Sequence, residues 1–253
     1  MNAFSKYPVA RRASVMCAAI LTLNCTLTHA ETLHVVTEDS SYSYLENGKV
    51  AGSASVIVEQ TLALAGITDY RMTLYPWARA YDMARLEPNV LIYPIIRTAG
   101  REALFNWVGE LDQVTPMFYK LRERRDVLVK DLSDAKRYSV GVVRDDARQQ
   151  YLEGKGFTKV VVSANNLDNL RKLVSGQLEL VPMPEREARE QCEDLHIAFA
   201  DLEAVYTLDE LSKGLYIALS RSTPDDTVKR IRQAFDTLKA DGSLARALAQ
   251  QPR

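Results

Sequence analysis

The chain has 253 residues, 47% of them hydrophobic, with 32 Lys and Arg against 33 Asp and Glu. That balance excludes collagen-like, disordered and disulfide-scaffold chains, and a formal charge of −1 leaves no basic surplus for a nucleic-acid partner. The length suits one large domain or two of about 100–130 residues.

At the start of the chain, Lys6, Arg11 and Arg12 precede an acid-free apolar run from Ala13 to Leu27 that ends at Thr28-His29-Ala30. A positive start, a short apolar centre and small residues flanking the cut are the layout of a secretory signal. We therefore expect export to the periplasm and cleavage after Ala30. The run contains Thr22, Asn24 and Thr26 and is shorter than the about 20 apolar residues a membrane span needs. Cleavage removes Cys17 and Cys25 and leaves Cys192 alone, so no internal disulfide can form. One Cys with His34 and His196 does not make a Cys₂His₂-type zinc site. Neither a metal nor a cofactor is expected.

The body alternates short apolar runs with amphipathic stretches, the pattern of crossover units and a parallel sheet. Thr32–Thr37 reads as a strand, and Ser53–Ala65 as a helix capped by Ser53 and stopped by Gly66. Asp69–Tyr75 is a second strand and Trp77–Leu86 a helix opened by Pro76. Val90–Ile95 is apolar enough for a central strand buried on both faces.

A second block follows the charged stretch Leu121–Asp126. It has strands at Tyr138–Val143, Thr158–Val162 and Leu178–Val181, with helices at Asp145–Glu153 and Asn166–Ser175 between them. Gly214–Leu219 is a further strand. The next segment, Thr223-Pro224-Asp225-Asp226, starts a helix with Thr as cap, Pro first and acids at the positive end of the dipole. That helix runs to about Ala240, and a last one covers Ser243–Gln250.

Five segments in this order carry a resemblance: SYSYLENGKVAG (41–52), RTAGREALFNWVG (97–109), DLSDAKRYSVGVVRDDARQQYL (131–152), LRKLVSGQLEL (170–180) and GLYIALSRSTPDDTVKRIRQAFDTLKADGSL (214–244). Together they resemble the type 2 periplasmic solute-binding proteins of cluster 3, the amino-acid-binding components of bacterial ABC importers. The resemblance covers about Thr32 to Leu248. It implies an α/β, two-lobed type II fold, with two doubly wound lobes joined by a two-strand hinge. Lobe 1 would be 31–119 plus 214–253 and lobe 2 would be 120–213, with hinge strands near Met117–Tyr119 and Gly214–Leu219. It also implies a small amino-acid-like or other carboxylate-bearing solute in the cleft and an inner-membrane permease as partner. We expect a monomer.

The sharpest site motif is Arg97-Thr98-Ala99-Gly100-Arg101, which resembles the family's Thr-x-x-Arg turn. The match assigns Thr98 and Arg101 to the ligand carboxylate, since a guanidinium offers it a planar fork; Arg97 is a weaker candidate. In the sequence Arg101 reads as a loop guanidinium whose removal costs affinity rather than stability. Tyr42 and Tyr44 follow the first strand where the family places an aromatic roof, with Glu38 and Asp39 alongside. Trp77 and Arg79 form a second candidate wall, the first by stacking and the second as another anion fork. In the second block Arg144 and Asp145 lie where a strand turns into a helix and free backbone N–H groups can take an anion. Asp145 or Asp146 can equally cap that helix.

One position departs from the family. Pro184 stands where the family has the acid that holds the ligand's α-ammonium, and Glu185 takes that place only if the turn is shifted by one residue. The chain has no Gly-x-Ser-x-Gly, phosphate-loop or His-Glu-x-x-His motif. The resemblance implies binding rather than catalysis. The alternatives are an enzyme of the cyclic-acid dehydratase type, with carboxylates such as Glu38 or Glu185 as acid and base, and a ligand-sensing accessory protein.

Overall fold

In the computed structural model, which describes Met1 and residues 32–249, the first apolar run forms β1 (Leu33–Thr37). The signal segment and its cut after Ala30 lie outside the described residues. Strand alternation sends Leu33 and Val35 to one face and Val36 to the other. A hairpin of β2 (Tyr44–Glu46) and β3 (Lys49–Ala51) turns at Asn47-Gly48, both at positive φ, the residue pair favoured in such turns. Strands of three residues have no period to count, so sequence periodicity does not reveal them.

The next helix, α1 (Ser53–Leu64), is capped by Gly52 rather than by Ser53, whose hydroxyl is buried without a partner. The cause is a close approach. Gly52 has φ 108°, and a Cβ there would stand 2.4 Å from the Tyr42 carbonyl oxygen. Ala54 N–H donates to that same oxygen at 3.1 Å. Gly52→Ala is expected to destabilise the protein by about 1–3 kcal/mol through overpacking and backbone strain. The measure is a lower urea midpoint at unchanged m-value; an unchanged midpoint would show that the loop carrying Tyr42 gives way freely.

The first block continues with β4 (Tyr70–Leu74), α2 (Trp77–Leu86) and β5 (Val90–Ile96). All seven residues of β5 are buried, as its unbroken apolar run requires. A 3₁₀ turn (Ala99–Leu104) leads into β6 (Phe105–Val114).

The chain then enters a second group of elements. These are β7 (Met117–Leu121), α3 (Leu132–Ala135), β8 (Val140–Val143), α4 (Ala147–Gly154), β9 (Val160–Ser163), α5 (Asn166–Val174), β10 (Val181–Met183), α6 (Glu185–Asp194) and β11 (Leu202–Thr207). Strand β7 pairs antiparallel with both β10 and β11, and β8 runs parallel to β9. The strand expected at Leu178–Val181 lies instead at Val181–Met183, although Leu178 and Leu180 are still buried in the core. Helix α6 escapes periodicity because only Ala188 and Cys192 of its ten residues are buried.

The chain returns through β12 (Lys213–Ser220), α7 (Asp225–Ala240) and α8 (Ser243–Ala249). Strand β12 inserts antiparallel between β5 and β6, giving the sheet order β4-β1-β5-β12-β6. Apolar residues of α1, α7 and α8 cover one face of this sheet and those of α2 the other. Pro224, not Thr223, is the N-cap of α7. The buried Thr223 hydroxyl is instead within 2.9 Å of the Ser220 hydroxyl.

Two crossings join the sheets. The first is Thr115-Pro116 between β6 and β7, and the second is the segment 208–212 between β11 and β12. The Thr115 and Ser212 hydroxyls meet across them at 2.8 Å. The boundary expected after Tyr119 falls inside β7, where Tyr119 pairs with Val181. Among the described residues, no helix is long and apolar enough to cross a membrane.

Candidate functional site

The loop after β1, the end of β5, the β6–β7 crossing and the N-terminal ends of α4, α5 and α6 surround a cavity of about 440 Å³. Both groups of elements contribute to its wall. Trp77, Pro94, Ile96, Met117 and Leu215 make an apolar side, and the charged lining consists of five carboxylates and three guanidiniums.

The densest charge sits where β1 faces the second group. The loop from Glu38 to Ser43 is folded tightly: the Thr37 and Ser43 hydroxyls lie 2.6 Å apart, and Ser43 Oγ donates to the Glu38 carbonyl at 2.8 Å. This places the Glu38 side chain in the cavity wall. Opposite, Asp146 caps α4 by accepting the Arg148 N–H at 2.8 Å, and it accepts Arg148 Nε at 2.6 Å. Arg148 Nη1 also reaches Glu187 Oε2 (3.4 Å) and the Pro182 carbonyl (3.2 Å). Asn166 Nδ2 donates to Glu187 Oε1 at 2.5 Å.

These groups divide by environment. Burial pushes Glu38 up to about 8, the nearby Asp146 and Glu187 carboxylates add to the rise, and Arg148 only partly opposes it. Glu187 is also raised by burial, against the pull of Arg148 and the Asn166 hydrogen bond. For Asp146, burial is outweighed by Arg148 and, more weakly, Arg101, so its carboxyl lies below the usual range. Arg148 is raised because Asp146 and Glu187 outweigh the cost of burial. The Glu38 carboxyl makes no hydrogen bond among the described residues, and its remaining exposure is toward the cavity.

Arg101 is only 1% exposed. Its Nη1 donates to the Ile96 carbonyl (3.2 Å) and its Nη2 to the Asp145 carbonyl (2.9 Å), while Nε is buried without a partner. Its guanidinium lies 4.7 Å from the Tyr81 ring centre and 5.4 Å from that of Trp77. Arg186 crosses the cleft in the opposite sense. It donates to the Ser41 carbonyl at 2.9 Å and covers the Tyr42 ring at 4.8 Å, while the Tyr42 hydroxyl donates to Asp112 at 2.8 Å. Burial and that hydrogen bond raise the Tyr42 hydroxyl well above its ordinary value.

Of the residues assigned to ligand contact in the sequence, Tyr42, Trp77 and Arg101 line this cavity and the others do not, while Glu38, Asp146, Pro184 and Glu185, named there in other roles, line it as well. Tyr44 lies at a separate surface groove beside the β2–β3 hairpin. Arg79 is exposed over the Tyr75 ring at 4.3 Å. Arg97 forms a two-bond pair with Glu102 and lies over Trp107 and Tyr216. Thr98 precedes the 3₁₀ turn and offers its carbonyl to the Arg101 N–H. Arg144 is exposed, and Asp145, at φ 60°, contributes its backbone carbonyl to Arg101. Arg148, Glu187 and Asn166 are absent from the sequence-level candidates. Single polar residues on three separate helices share no spacing, and only the fold brings them together.

No protein-family profile matches the chain, and no curated protein matches its sequence. Solved structures do. A histidine kinase sensor domain with similarity to periplasmic binding proteins aligns with TM-score 0.76 at 18% identity, over 87% of this chain and 96% of that one. An amino acid ABC transporter substrate-binding protein of Streptococcus pneumoniae, bound to L-arginine, aligns with TM-score 0.73 at 14% identity, over 87% and 94%. A Salmonella typhimurium periplasmic binding protein with high arginine specificity aligns with TM-score 0.71 at 17% identity, over 88% and 99%. At such identities the likeness speaks to architecture alone, and on that ground the chain has the α/β two-lobed fold of the periplasmic binding proteins.

Proposed function

We propose that the protein is an exported solute-binding protein that captures a small nitrogenous solute between its lobes and hands it to an inner-membrane permease of the ABC type. The observation that carries this reading is the cavity itself, walled from both sides of the two crossings and holding a carboxyl group, Glu38, that makes no hydrogen bond among the described residues. Amino-acid-binding neighbours of the same architecture support it. In this reading the lobes are divided as the resemblance implies, with the first crossing taken at Thr115-Pro116, and the protein acts as a monomer. Contact with the solute falls to Tyr42, Trp77 and the carboxylate cluster rather than to Arg79, Arg97, Thr98 or Arg144.

Binding is favoured over catalysis by the lining, in which no His, Cys or Lys is found. Cys192 is buried in α6, with its thiol pushed up to about 11 by burial, and is a poor nucleophile there.

A thermal-shift screen of amino acids, amines, small carboxylates and oligopeptides tests the reading, since a ligand specific for the folded state raises Tm. At least one compound should stabilise the protein, and Ser41→Trp, which fills the cavity from a partly exposed loop, should abolish the shift. A shift that survives Ser41→Trp would move the site elsewhere, and no shift with any compound would remove the function.

A further inference from the structure

Resting on the reading of the cleft as a solute site, we propose that its solute is an organic amine without a carboxylate, bound with its cationic group among Glu38, Asp146 and Glu187 and its carbon skeleton against Trp77.

The argument starts from charge. Among the described residues, five carboxylates face three guanidiniums around the cavity, and each of the three is already engaged by the protein. Arg186 is held by Glu190 at 3.0 Å and by the Ser41 carbonyl. Arg148 is shared between Asp146 and Glu187. Arg101, which a Thr-x-x-Arg turn would offer to a carboxylate, has both Nη groups on backbone carbonyls and its Nε buried. A solute in the cavity reaches a buried atom only by displacing the wall. The protein also supplies its own carboxylate toward that guanidinium, because Arg101 lies near enough to lower Asp146.

An added carboxylate would therefore meet like charges. A cation in the same place meets the reverse: the Glu38 carboxyl makes no hydrogen bond among the described residues, and Asp146 and Glu187 share the ion pair of one guanidinium, Arg148. The acids are not accounted for by a metal, since no group of His, Cys, Asp and Glu among the described residues could hold one. The apolar side formed by Trp77, Ile96, Met117 and Leu215 suits the alkyl part of such an amine.

Calorimetry with pairs that differ only by the carboxylate tests this: agmatine against L-arginine, and cadaverine against L-lysine. The amine should bind at least tenfold more tightly in one pair or both. Equal or tighter binding of the amino acids overturns the inference and leaves the cleft as a solute site. Failure of all four to bind overturns the inference too, while the broader thermal-shift screen decides separately on the cleft. Asp146→Asn keeps a good helix cap but removes the built-in anion, so the amine-to-amino-acid preference should shrink by at least threefold. A preference that stays the same in that variant, folded by circular dichroism, overturns the electrostatic argument.

Discussion

Glu38→Gln is expected to make the ligand-free protein more stable at pH 7–8 and to weaken cation binding at least tenfold. The sign follows from the carboxyl, which rises from an ordinary 4.5 to about 8 in the fold. Between those values the folded state holds a proton that the unfolded state has released. The stability this group contributes is complete below about pH 4.5 and is lost as pH rises through about 8, with a slope of up to about 1.4 kcal/mol per pH unit. Glutamine has no such proton to keep. After allowance for the partial exposure of Glu38 to the cavity, the gain at pH 7 is about 1–3 kcal/mol.

Urea unfolding at pH 5 and pH 8 checks this, since the advantage of Glu38→Gln over the wild type should grow with pH. An equal difference at the two pH values would mean that Glu38 titrates normally. The same physics couples binding to protons. Burial, with Asp146, Glu187 and Asp39, holds Glu38 protonated against the pull of Arg148, and a cation shifts that balance. The affinity for a solute of fixed charge should therefore rise with pH up to about 8 and then level off. Calorimetry in buffers of different ionisation heat counts the proton released. A binding site built at the expense of stability is a common pattern where function needs an unpaired charge.

Arg101→Ala is expected to destabilise the protein by about 3–5 kcal/mol, the usual result of removing one side of a buried charged network. Read in the sequence alone, Arg101 is a loop guanidinium of little weight for stability. In the structure it is sealed against Trp77 and Tyr81, serves the carbonyls of Ile96 and Asp145, and is one of the cations that keep Asp146 ionised. The Asp145 bond also crosses the cleft, so the ligand-free variant should show a larger radius of gyration by small-angle scattering.

Arg101→Lys should recover only part of the loss, because one ammonium does not reproduce the planar fork that serves both carbonyls. A loss below about 0.5 kcal/mol, the usual size for surface substitutions, would return Arg101 to a solvated loop charge. Arg79→Ala is the matched control: that side chain is exposed over Tyr75, and its removal should fall within the same small range.

What the sequence determines by itself is the part of the protein whose signal is periodic or local. The unbroken apolar run 90–95 appears as a strand buried along its whole length, and the spacing of Trp77, Tyr81 and Ala84 appears as a helix with the expected bounds Trp77–Leu86. The two strand-helix blocks and the apolar face of α5 are legible for the same reason. So is the α/β class, because repeated crossover units admit few architectures, whereas the two-lobed arrangement rests on the family resemblance and not on periodicity. The β2–β3 hairpin and α6 lie below that threshold, the first too short and the second almost wholly polar on its surface.

The site belongs to the tertiary structure. Glu38, Asp146, Arg148 and Glu187 come from one loop and two helices, and nothing in their spacing joins them until the lobes set them around a single cavity. Whether Arg101 receives a solute or braces the wall depends on which carbonyls lie within 3.2 Å of its nitrogens, and one of those carbonyls is 44 residues away in the chain. Periodicity records which face of an element is buried. Charge, by contrast, acquires its meaning from the distance to other charges and from the water excluded between them, and only the folded chain sets those quantities.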